Sequence, residues 1–177
     1  ESRPFLHGNY LLAGASLCGG KEYALLEKFF RELVKEATGQ EKPLYKTLEK
    51  LAGDGKASCT GRENRQKLQI ETTFDGTRVH PEQTGSITNL SVDNFTPAAF
   101  VYGTLEGMSR ELYQMYQTIQ NGTGMQIKRM IGSGNGLRKN PVLCEIVEEM
   151  FGAKLALAEC EEEAATGAAL SSMQQDE

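Results

Sequence analysis

Apolar residues recur along this chain with two different periods, and these periods predict a mixture of strands and helices. The apolar run NYLLAGASL at 9–17 predicts a strand that is buried on both faces. Residues 21–39 repeat their apolar positions at helical spacing and predict a helix that ends at Gly39. A shorter helix is predicted from Pro43 to Gly53, and the polar segment 55–66 is predicted to be a loop.

The middle of the chain predicts two short strands and the longest helix. Residues 67–74 alternate as a half-exposed strand does, DGT at 75–77 is a turn signal, and 85–90 is a second short strand. Residues 94–120 carry the apolar stripe of a helix, with Thr96 as the expected N-cap before Pro97. Because Gly103 and Gly107 lie four residues apart, we expect another element to approach this helix closely.

The last third of the chain continues as strand, helix, strand and helix. The predicted elements are a strand at 126–132, a helix at 140–152, a strand at 153–158 and a helix at 161–174. Asn140 is the expected cap of the helix at 140–152, with Pro141 in its first position. This succession with short connections predicts an α/β fold, and 177 residues is the length of a single domain.

Composition and charge narrow the class of protein. The net charge of −5 and the dispersed basic residues argue against a nucleic-acid surface. No apolar run approaches the roughly 20 residues that cross a bilayer, and no signal peptide is visible, so we expect a soluble cytoplasmic protein without a membrane partner. The four cysteines form no CxxC pair, so a zinc site is not expected. We expect the cysteines to be buried, reduced thiols. The chain begins without Met and reads as a fragment or a processed piece.

A glycine-rich loop is the strongest candidate for a binding site. Gly132, Gly134 and Gly136 follow a predicted strand, and a loop of this kind can present backbone N–H groups to a nucleotide or merely allow a tight turn. Glu159 ends the next strand, as the ribose-binding acid of a Rossmann NAD site would. The helix start at Asn140 lies well beyond the glycines, however, and this favours a shelf beside a ligand over a tight pyrophosphate grip.

Other candidate features are weaker. Gly19 and Gly20 stand at a strand-to-helix junction, which is either a second anion site or a tight turn. The small residues at 164–169 predict a helix that packs closely against another element. His80 is a lone loop histidine, and the chain lacks a Walker loop, a GxSxG elbow and an HExxH pair. The residues therefore supply no convincing general base.

Four segments taken in order resemble the carboxy-terminal domain of the FGGY carbohydrate kinases, most closely its sedoheptulokinase branch. They are YLLAGASLCGG at 10–20, TPAAFVYGTLEGMSREL at 96–112, IGSGNGLRKNPVLCEI at 131–146 and EEEAATGAAL at 161–170. In the second segment Glu106 and Gly107 match the family's A-x-x-E-G core, while Gly103 stands where alanine is expected. The third segment is similar to the family's adenosine motif.

The resemblance implies an actin-like ATPase, ribonuclease-H-like domain with a mixed sheet flanked by helices. In this family ATP lies between two such domains, and a sugar hydroxyl receives its γ-phosphate with the help of Mg²⁺. The positions that match the family's nucleotide side and are expected to bind the cofactor are Gly20 near the phosphates and Gly132, Ser133, Gly134, Asn135, Gly136 and Asn140 around adenosine. Glu162 and Gly167 match the closing segment, which would support the adenosine pocket from behind.

The chain also departs from the family pattern. Glu145 replaces the usual glutamine of the adenosine motif, and Thr77 replaces the acid of the G-E-R-x-P stretch. DGT at 75–77 and GDGKA at 53–57 resemble the phosphate and catalytic motifs but stand in the wrong order, so Asp75 and Asp54 are interpreted as chance matches in turns. The chain thus reads as 1–177 of a carboxy-terminal domain without catalytic or metal-binding residues of its own.

The expected function is ATP-dependent phosphorylation of a sugar hydroxyl, with a ketose such as sedoheptulose as the acceptor. An amino-terminal kinase domain is the expected partner, supplying the base and most Mg²⁺ ligands, and this chain alone is expected to be inactive. Two alternatives stay open, a non-catalytic actin-like nucleotide-binding module and a Rossmann NAD-binding domain. The sequence leaves the sugar and the oligomeric state open, including whether a homodimer forms.

Overall fold

The computed structural model describes residues 1–5, 8–17, 20–60, 67–160 and 162–173. These residues divide into two compact units, 1–126 and 127–177, and each unit is described by itself.

Three helices dominate the first unit. Helix α1 spans Lys21–Thr38, α2 spans Tyr45–Cys59 and α3 spans Pro97–Thr123. Gly39 ends α1 in the left-handed conformation, as predicted, since glycine reaches a φ of 69° without a Cβ penalty. The Thr96 side chain caps α3 by accepting a hydrogen bond from the Ala99 N–H at 3.2 Å, which confirms the predicted start.

Two antiparallel strand pairs accompany these helices. Strand β1 (Ser2–Pro4) pairs with β2 (Tyr10–Leu12), and β3 (Gln69–Glu71) pairs with β4 (Ser86–Thr88) so that Ile70 faces Ile87 across the ladder. Both strands that were predicted at 67–74 and 85–90 are therefore present, in shorter form.

Glycines bring the elements of the first unit close together. A Cβ on Gly107 would lie 2.9 Å from Thr72 Cγ2 and nearer still to the Ile70 carbonyl oxygen. A Cβ on Gly103 would lie 3.4 Å from Ile70 Cδ1. The close approach predicted from these two positions is thus confirmed, and the element that approaches α3 is β3. The buried apolar side chains of this unit lie on α2, on α3 and in or next to β3, and include Leu48, Ala52, Leu68, Ile70, Val101 and Leu105.

The second unit is a strand–helix–strand arrangement followed by a helix. Strand β5 (Met130–Gly132) pairs in parallel with β6 (Leu155–Leu157), and a four-residue helix α4 (Asn135–Arg138) and helix α5 (Pro141–Phe151) connect them. Helix α6 follows at Glu163–Met173. The buried face of α5 consists of Leu143, Ile146 and Val147. Each of the four elements predicted here is present, and α4 is an addition that the sequence pattern did not indicate.

The structure corrects three predictions in the first unit. Strand β2 covers only three residues of the 9–17 run and is exposed on both faces, with Tyr10 69% exposed, because its only partner in the described structure is the exposed strand β1. Helix α2 continues through Gly53 to Cys59, so the predicted loop begins later, and residues 61–66 of that loop lie outside the described residues. Asp54 accordingly lies inside a helix and not in a turn.

Helix α2 can continue through its glycines because one of them is a packing site. A Cβ on Gly55 would lie 2.7 Å from Tyr102 Cβ and closer to the Ala98 carbonyl oxygen, so the crossing of α2 and α3 needs a residue without a side chain at this position. Of the helices that the structure describes, none is both long enough and apolar enough to cross a membrane.

Candidate functional site

The glycine-rich loop forms the edge of the second unit at the carboxyl end of β5. We call residues 132–136 the glycine shelf. Its first glycine is a packing position, since a Cβ on Gly132 would lie 2.8 Å from Leu137 Cδ1 and 3.0 Å from Leu155 Cδ1. Gly132 is buried and its carbonyl oxygen accepts a hydrogen bond from the Ala158 N–H at 2.8 Å, which extends the β5–β6 pairing.

The other two shelf glycines have different physical roles. Gly134 has a φ of +89°, a conformation that only glycine adopts without strain. Gly136 lies in α4 with an ordinary φ, and a Cβ added there would meet no other atom within 4 Å. Packing and backbone conformation therefore explain Gly132 and Gly134 but leave Gly136 unexplained. Ser133, Asn135 and Gly136 are exposed, so this part of the shelf is open to a ligand.

Asn140 has a structural role that its sequence position also predicted. Its Oδ1 atom accepts a hydrogen bond from the Leu143 N–H at 3.1 Å and caps α5, and the residue is only 6% exposed. The long helix thus starts at Pro141, well beyond the shelf glycines, as expected from the sequence. Because its oxygen is used inside the protein, only its amide nitrogen is left for another hydrogen bond.

Replacing Asn140 by alanine is expected to destabilise the second unit by about 1 kcal/mol, because α5 loses its N-cap. Asn140→Asp keeps an acceptor at the same place and is expected to retain most of that stability. Urea unfolding followed by circular dichroism measures both variants. Equal stability of Asn140→Ala and the parent chain would contradict the capping role.

Arg138 and Glu163 connect the shelf to residues 158–160 and to the first residue of α6. Arg138 Nη1 donates a hydrogen bond to the Ala158 carbonyl oxygen at 2.9 Å, and Nη2 donates to the Cys160 carbonyl oxygen and to Glu163 Oε1. The side chains of Arg138 and Glu163 are 21% and 28% exposed. The four-residue helix that carries Arg138 starts at the shelf, so the guanidinium group connects the shelf to the closing segment.

Sequence reasoning missed both of these residues. It selected Glu162 from the closing segment, but Glu162 is exposed and its carbonyl oxygen accepts the Thr166 N–H, whereas the carboxylate that meets the shelf belongs to Glu163. Gly167 lies in α6, is exposed, and a Cβ there would meet nothing within 4 Å. The available signal was an acid in the first turn of a helix, which indicates a dipole contact but does not identify a partner.

The charge beside the shelf restricts what can bind there. The pKa of the Glu163 carboxyl lies below its ordinary value, first because its own backbone N–H donates to it and then because Arg138 does, with a smaller contribution from the Gly134 N–H. Glu163 is therefore an anion at neutral pH, and its carboxylate faces the shelf. Because the carboxylate is paired with the Arg138 guanidinium, the pair brings no net positive charge that would favour a polyphosphate, and the shelf suits an uncharged group.

Gly20 belongs to the first unit, where it is the residue before α1. Its φ of −78° is an ordinary one, and a Cβ there would meet nothing within 4 Å, so neither conformation nor packing requires glycine. The neighbouring Lys21 is paired with Asp75. Gly19, the other residue of the predicted second anion site, lies outside the described residues.

A cavity of about 450 Å³ lies within the first unit, but its chemistry differs from that of a nucleotide site. It is bounded by residues 13–15, the end of β3 and the second half of α3, and its lining includes Glu71 and Glu111. Burial raises the pKa of Glu111 and the nearby charge of Glu71 adds to this rise, whereas the hydrogen bond that Ser16 Oγ donates to its Oε2 atom at 3.0 Å acts in the opposite direction. The lining carries three acidic side chains, Glu1, Glu71 and Glu111, against one basic side chain, Arg78, which is paired with Glu1, so we do not assign ATP to this cavity.

The described residues also show no metal-binding cluster. Within the described ranges, no three His, Cys, Asp or Glu side chains are grouped to hold a metal ion. Asp75 lies in a turn, as predicted, and is engaged with Lys21, and Asp54 is an exposed residue of α2.

Comparison with known families and curated proteins places these features in context. The pattern described as the C-terminal domain of the FGGY family of carbohydrate kinases matches residues 5–174. A sedoheptulokinase from Mus musculus is 27% identical over 177 residues, which are 98% of this chain and 35% of that protein. A sedoheptulokinase from Homo sapiens is 27% identical over 171 residues, which are 94% of this chain and 33% of that protein. The chain thus spans about a third of the length of the curated relatives it matches.

Solved structures with the same fold are sugar and glycerol kinases. The xylulose kinase from Rhodospirillum rubrum matches with a TM-score of 0.60 and 20% identity, covering 78% of this chain and 25% of its own. The xylulose kinase from Bifidobacterium adolescentis matches with a TM-score of 0.58 and 17% identity, and the match covers 80% of this chain and 25% of that kinase. A Plasmodium falciparum glycerol kinase with ADP matches with a TM-score of 0.58 and 16% identity, and the match covers 78% of this chain and 26% of that kinase. The predicted actin-like, ribonuclease-H-like fold class is therefore confirmed.

Proposed function

The chain belongs to the FGGY family of carbohydrate kinases, and we propose that it supplies the adenosine side of the ATP site in an ATP-dependent sugar kinase. In this proposal Ser133, Asn135 and Gly136 contact the nucleoside. Asn140 caps α5 and offers only its amide nitrogen. The two curated relatives are both named sedoheptulokinases, and this supports a ketose such as sedoheptulose as the phosphate acceptor.

The observation that carries the proposal is the open space over Gly136. Gly132 and Gly134 are needed for packing and for a positive φ, but among the residues that the structure describes no contact requires glycine at 136. A flat, uncharged base or ribose fits a surface without side chains, because the backbone can be approached closely there. The Glu163 carboxylate beside the shelf is paired with Arg138, so the pair offers no net positive charge to the phosphates, and we orient ATP with adenosine on the shelf and the phosphates directed away from it.

The rest of the site is assigned to other parts of the protein. Considered within the first unit alone, Gly20 at the start of α1 leaves room for an anion near the positive end of a helix of 18 residues. The described residues offer no metal cluster and no positioned general base, so we propose that an amino-terminal domain contributes the Mg²⁺ ligands and the aspartate that accepts the sugar's hydroxyl proton. When bound, Mg²⁺ would neutralise charge on the transferred phosphoryl group. The protein is proposed to act in the cytoplasm.

A binding measurement with two nucleotides tests the proposal and separates it from the dehydrogenase alternative. We expect ATP, titrated by isothermal calorimetry into the 177-residue chain, to bind weakly but measurably and NAD not to bind. Adenosine is expected to compete with ATP, since it carries the group that contacts the shelf. Binding of NAD in place of ATP would instead favour a Rossmann site.

The chain alone is expected not to phosphorylate sugars, because it contains the adenosine side of the site without the base. A coupled assay for ADP, with sedoheptulose and other ketoses as acceptors, is expected to show no sugar-dependent ADP from this chain. The same assay on a protein that also contains the upstream domain is expected to show turnover in the range of roughly 1–100 per second that kinases reach. Sugar-dependent ADP production by the 177-residue chain would refute this division of labour.

The coupled assay for ADP also distinguishes a sugar kinase from the remaining alternative, a non-catalytic nucleotide-binding module. A non-catalytic nucleotide-binding module would bind ATP at the shelf but produce no sugar phosphate when the upstream domain is present.

A further inference from the structure

We propose that Arg138 and Glu163 form a clamp that holds the glycine shelf in the geometry adenosine requires, which makes them positioning residues for nucleotide binding. The inference rests on the proposed function, because it concerns the same shelf. It adds two residues that neither the sequence motifs nor the shelf itself identify.

The clamp joins two segments that are distant in sequence. Arg138 lies at the end of α4, and its guanidinium group reaches the Ala158 and Cys160 carbonyl oxygens and the Glu163 carboxylate. The Arg138 N–H in turn donates to the Gly134 carbonyl oxygen at 3.2 Å. A displacement of the closing segment is therefore transmitted to the shelf through one side chain and one backbone hydrogen bond.

The chemistry of arginine explains why this position holds the two segments firmly. Its planar guanidinium group carries several donors in a fixed arrangement, so one side chain can satisfy two carbonyl oxygens and a carboxylate at once. Lysine has a single flexible ammonium group that cannot reproduce this geometry. Both partners are mostly shielded from water, at 21% and 28% exposure, and the hydrogen bonds between charged groups are accordingly stronger than at an open surface.

A fixed shelf matters because a glycine-rich loop is otherwise expensive to order. Ordering a residue costs conformational entropy, and glycine loses the most freedom. If the clamp orders the shelf during folding, that cost does not weaken the binding of the nucleotide. Loss of the clamp is then expected to reduce affinity without removing any atom that touches the ligand.

A direct contact between Arg138 and the phosphates is the competing explanation, and the two make opposite predictions. If Arg138 attracted phosphate directly, Glu163→Ala would release its charge, remove a nearby anion and tighten ATP binding. If Arg138 acts through the clamp, Glu163→Ala loosens the shelf and weakens the binding of adenosine, which has no charge to attract. The affinity for adenosine therefore isolates positioning from electrostatic attraction.

The experiment uses the 177-residue chain with Arg138→Ala, Arg138→Lys, Glu163→Ala and the double variant Arg138→Ala/Glu163→Ala. Lys139→Ala is the matched control, because it removes a positive charge from the adjacent, exposed position. Hydrogen exchange of the amides at 132–138 without nucleotide reports on the shelf directly. Calorimetry with adenosine and with ATP gives affinities, and thermal unfolding shows whether each variant is folded.

We expect each alanine variant of the clamp to exchange its shelf amides faster and to bind adenosine and ATP about tenfold more weakly, by a similar factor for both ligands. The double variant is expected to lose less than the sum of the two single losses, since the single variants share the Arg138–Glu163 interaction. Arg138→Lys is expected to recover only part of the affinity. Lys139→Ala is expected to match the parent chain in shelf exchange and in adenosine affinity.

Several results would overturn the clamp. The first is an unchanged rate of hydrogen exchange at the shelf amides in both alanine variants. The second is tighter binding of ATP by Glu163→Ala, and the third is a loss of affinity in Arg138→Ala for ATP but not for adenosine. A parent chain that binds neither ATP nor adenosine would overturn the proposed function instead, while faster shelf exchange in the variants would still support the ordering role of the clamp. If an alanine variant unfolds, Arg138→Lys and the exchange measurement decide the question.

Discussion

Replacing Gly107 by alanine is expected to destabilise the first unit severely, whereas the same replacement at Gly122 in the same helix is expected to stabilise it. A Cβ on Gly107 would lie 3.3 Å from the Ile70 carbonyl carbon, 2.9 Å from Thr72 Cγ2 and closer still to the Ile70 carbonyl oxygen. That oxygen belongs to the backbone of β3 and cannot rotate away. Overpacking of this kind costs typically about 1–3 kcal/mol and more where the backbone must move.

Gly122 provides the matched control. It lies near the end of α3, is exposed, and a Cβ there would meet nothing within 4 Å. Alanine is a better helix former than glycine by about 0.5–1 kcal/mol, so Gly122→Ala is expected to raise stability. Urea unfolding monitored by circular dichroism measures both variants. A Gly107→Ala chain as stable as the parent would mean that α3 does not pack on β3 as described.

The Gly107 prediction also gives a physical meaning to a sequence motif. Glu106 and Gly107 match the E-G pair of the family's long helix, and the structure shows that this glycine lets α3 lie directly on the β3 backbone. The motif position is thus explained by packing within the first unit, without any ligand.

The parts of the fold that could be predicted from sequence were those with local causes. Thr96 with Pro97 and Asn140 with Pro141 fixed the starts of α3 and α5, because a cap and a proline act within one turn of the helix. Gly39 ended α1 for a similarly local reason. The spacing of Gly103 and Gly107 predicted a close contact, although it could not identify β3 as the partner.

The parts that could not be predicted depend on contacts between distant residues. Gly53 was predicted to end a helix and Gly55 to begin a loop, but the packing of α2 on α3 places Gly55 inside a helix. The 9–17 run is apolar enough for a buried strand, yet burial depends on which elements cover it and not on composition. Arg138 and Glu163 are separated by 25 positions, and no spacing rule joins them.

Gly136→Leu is expected to abolish or strongly weaken ATP binding while leaving the chain folded. The position is exposed and lies in α4 with an ordinary φ, and a Cβ there would meet nothing within 4 Å, so we expect a larger side chain to extend into solvent. Surface substitutions of this kind usually change stability by less than about 0.5 kcal/mol. The leucine side chain would instead occupy the place proposed for the nucleoside, and we expect a loss of affinity of at least about tenfold, with Gly136→Ala intermediate.

Gly53→Leu is the control for this last prediction, because Gly53 is an exposed helical glycine of α2 with equally open surroundings and lies in the other unit. Gly53→Leu is expected to bind ATP with the same affinity as the parent chain. Calorimetry gives the affinities, and thermal unfolding without ligand shows that both leucine variants are folded. Gly132 and Gly134 cannot provide this test, since substituting either one disturbs the protein before any ligand arrives. If Gly136→Leu bound ATP with the parent's affinity, the shelf would be only a turn between β5 and α5, and the nucleotide would have to bind elsewhere.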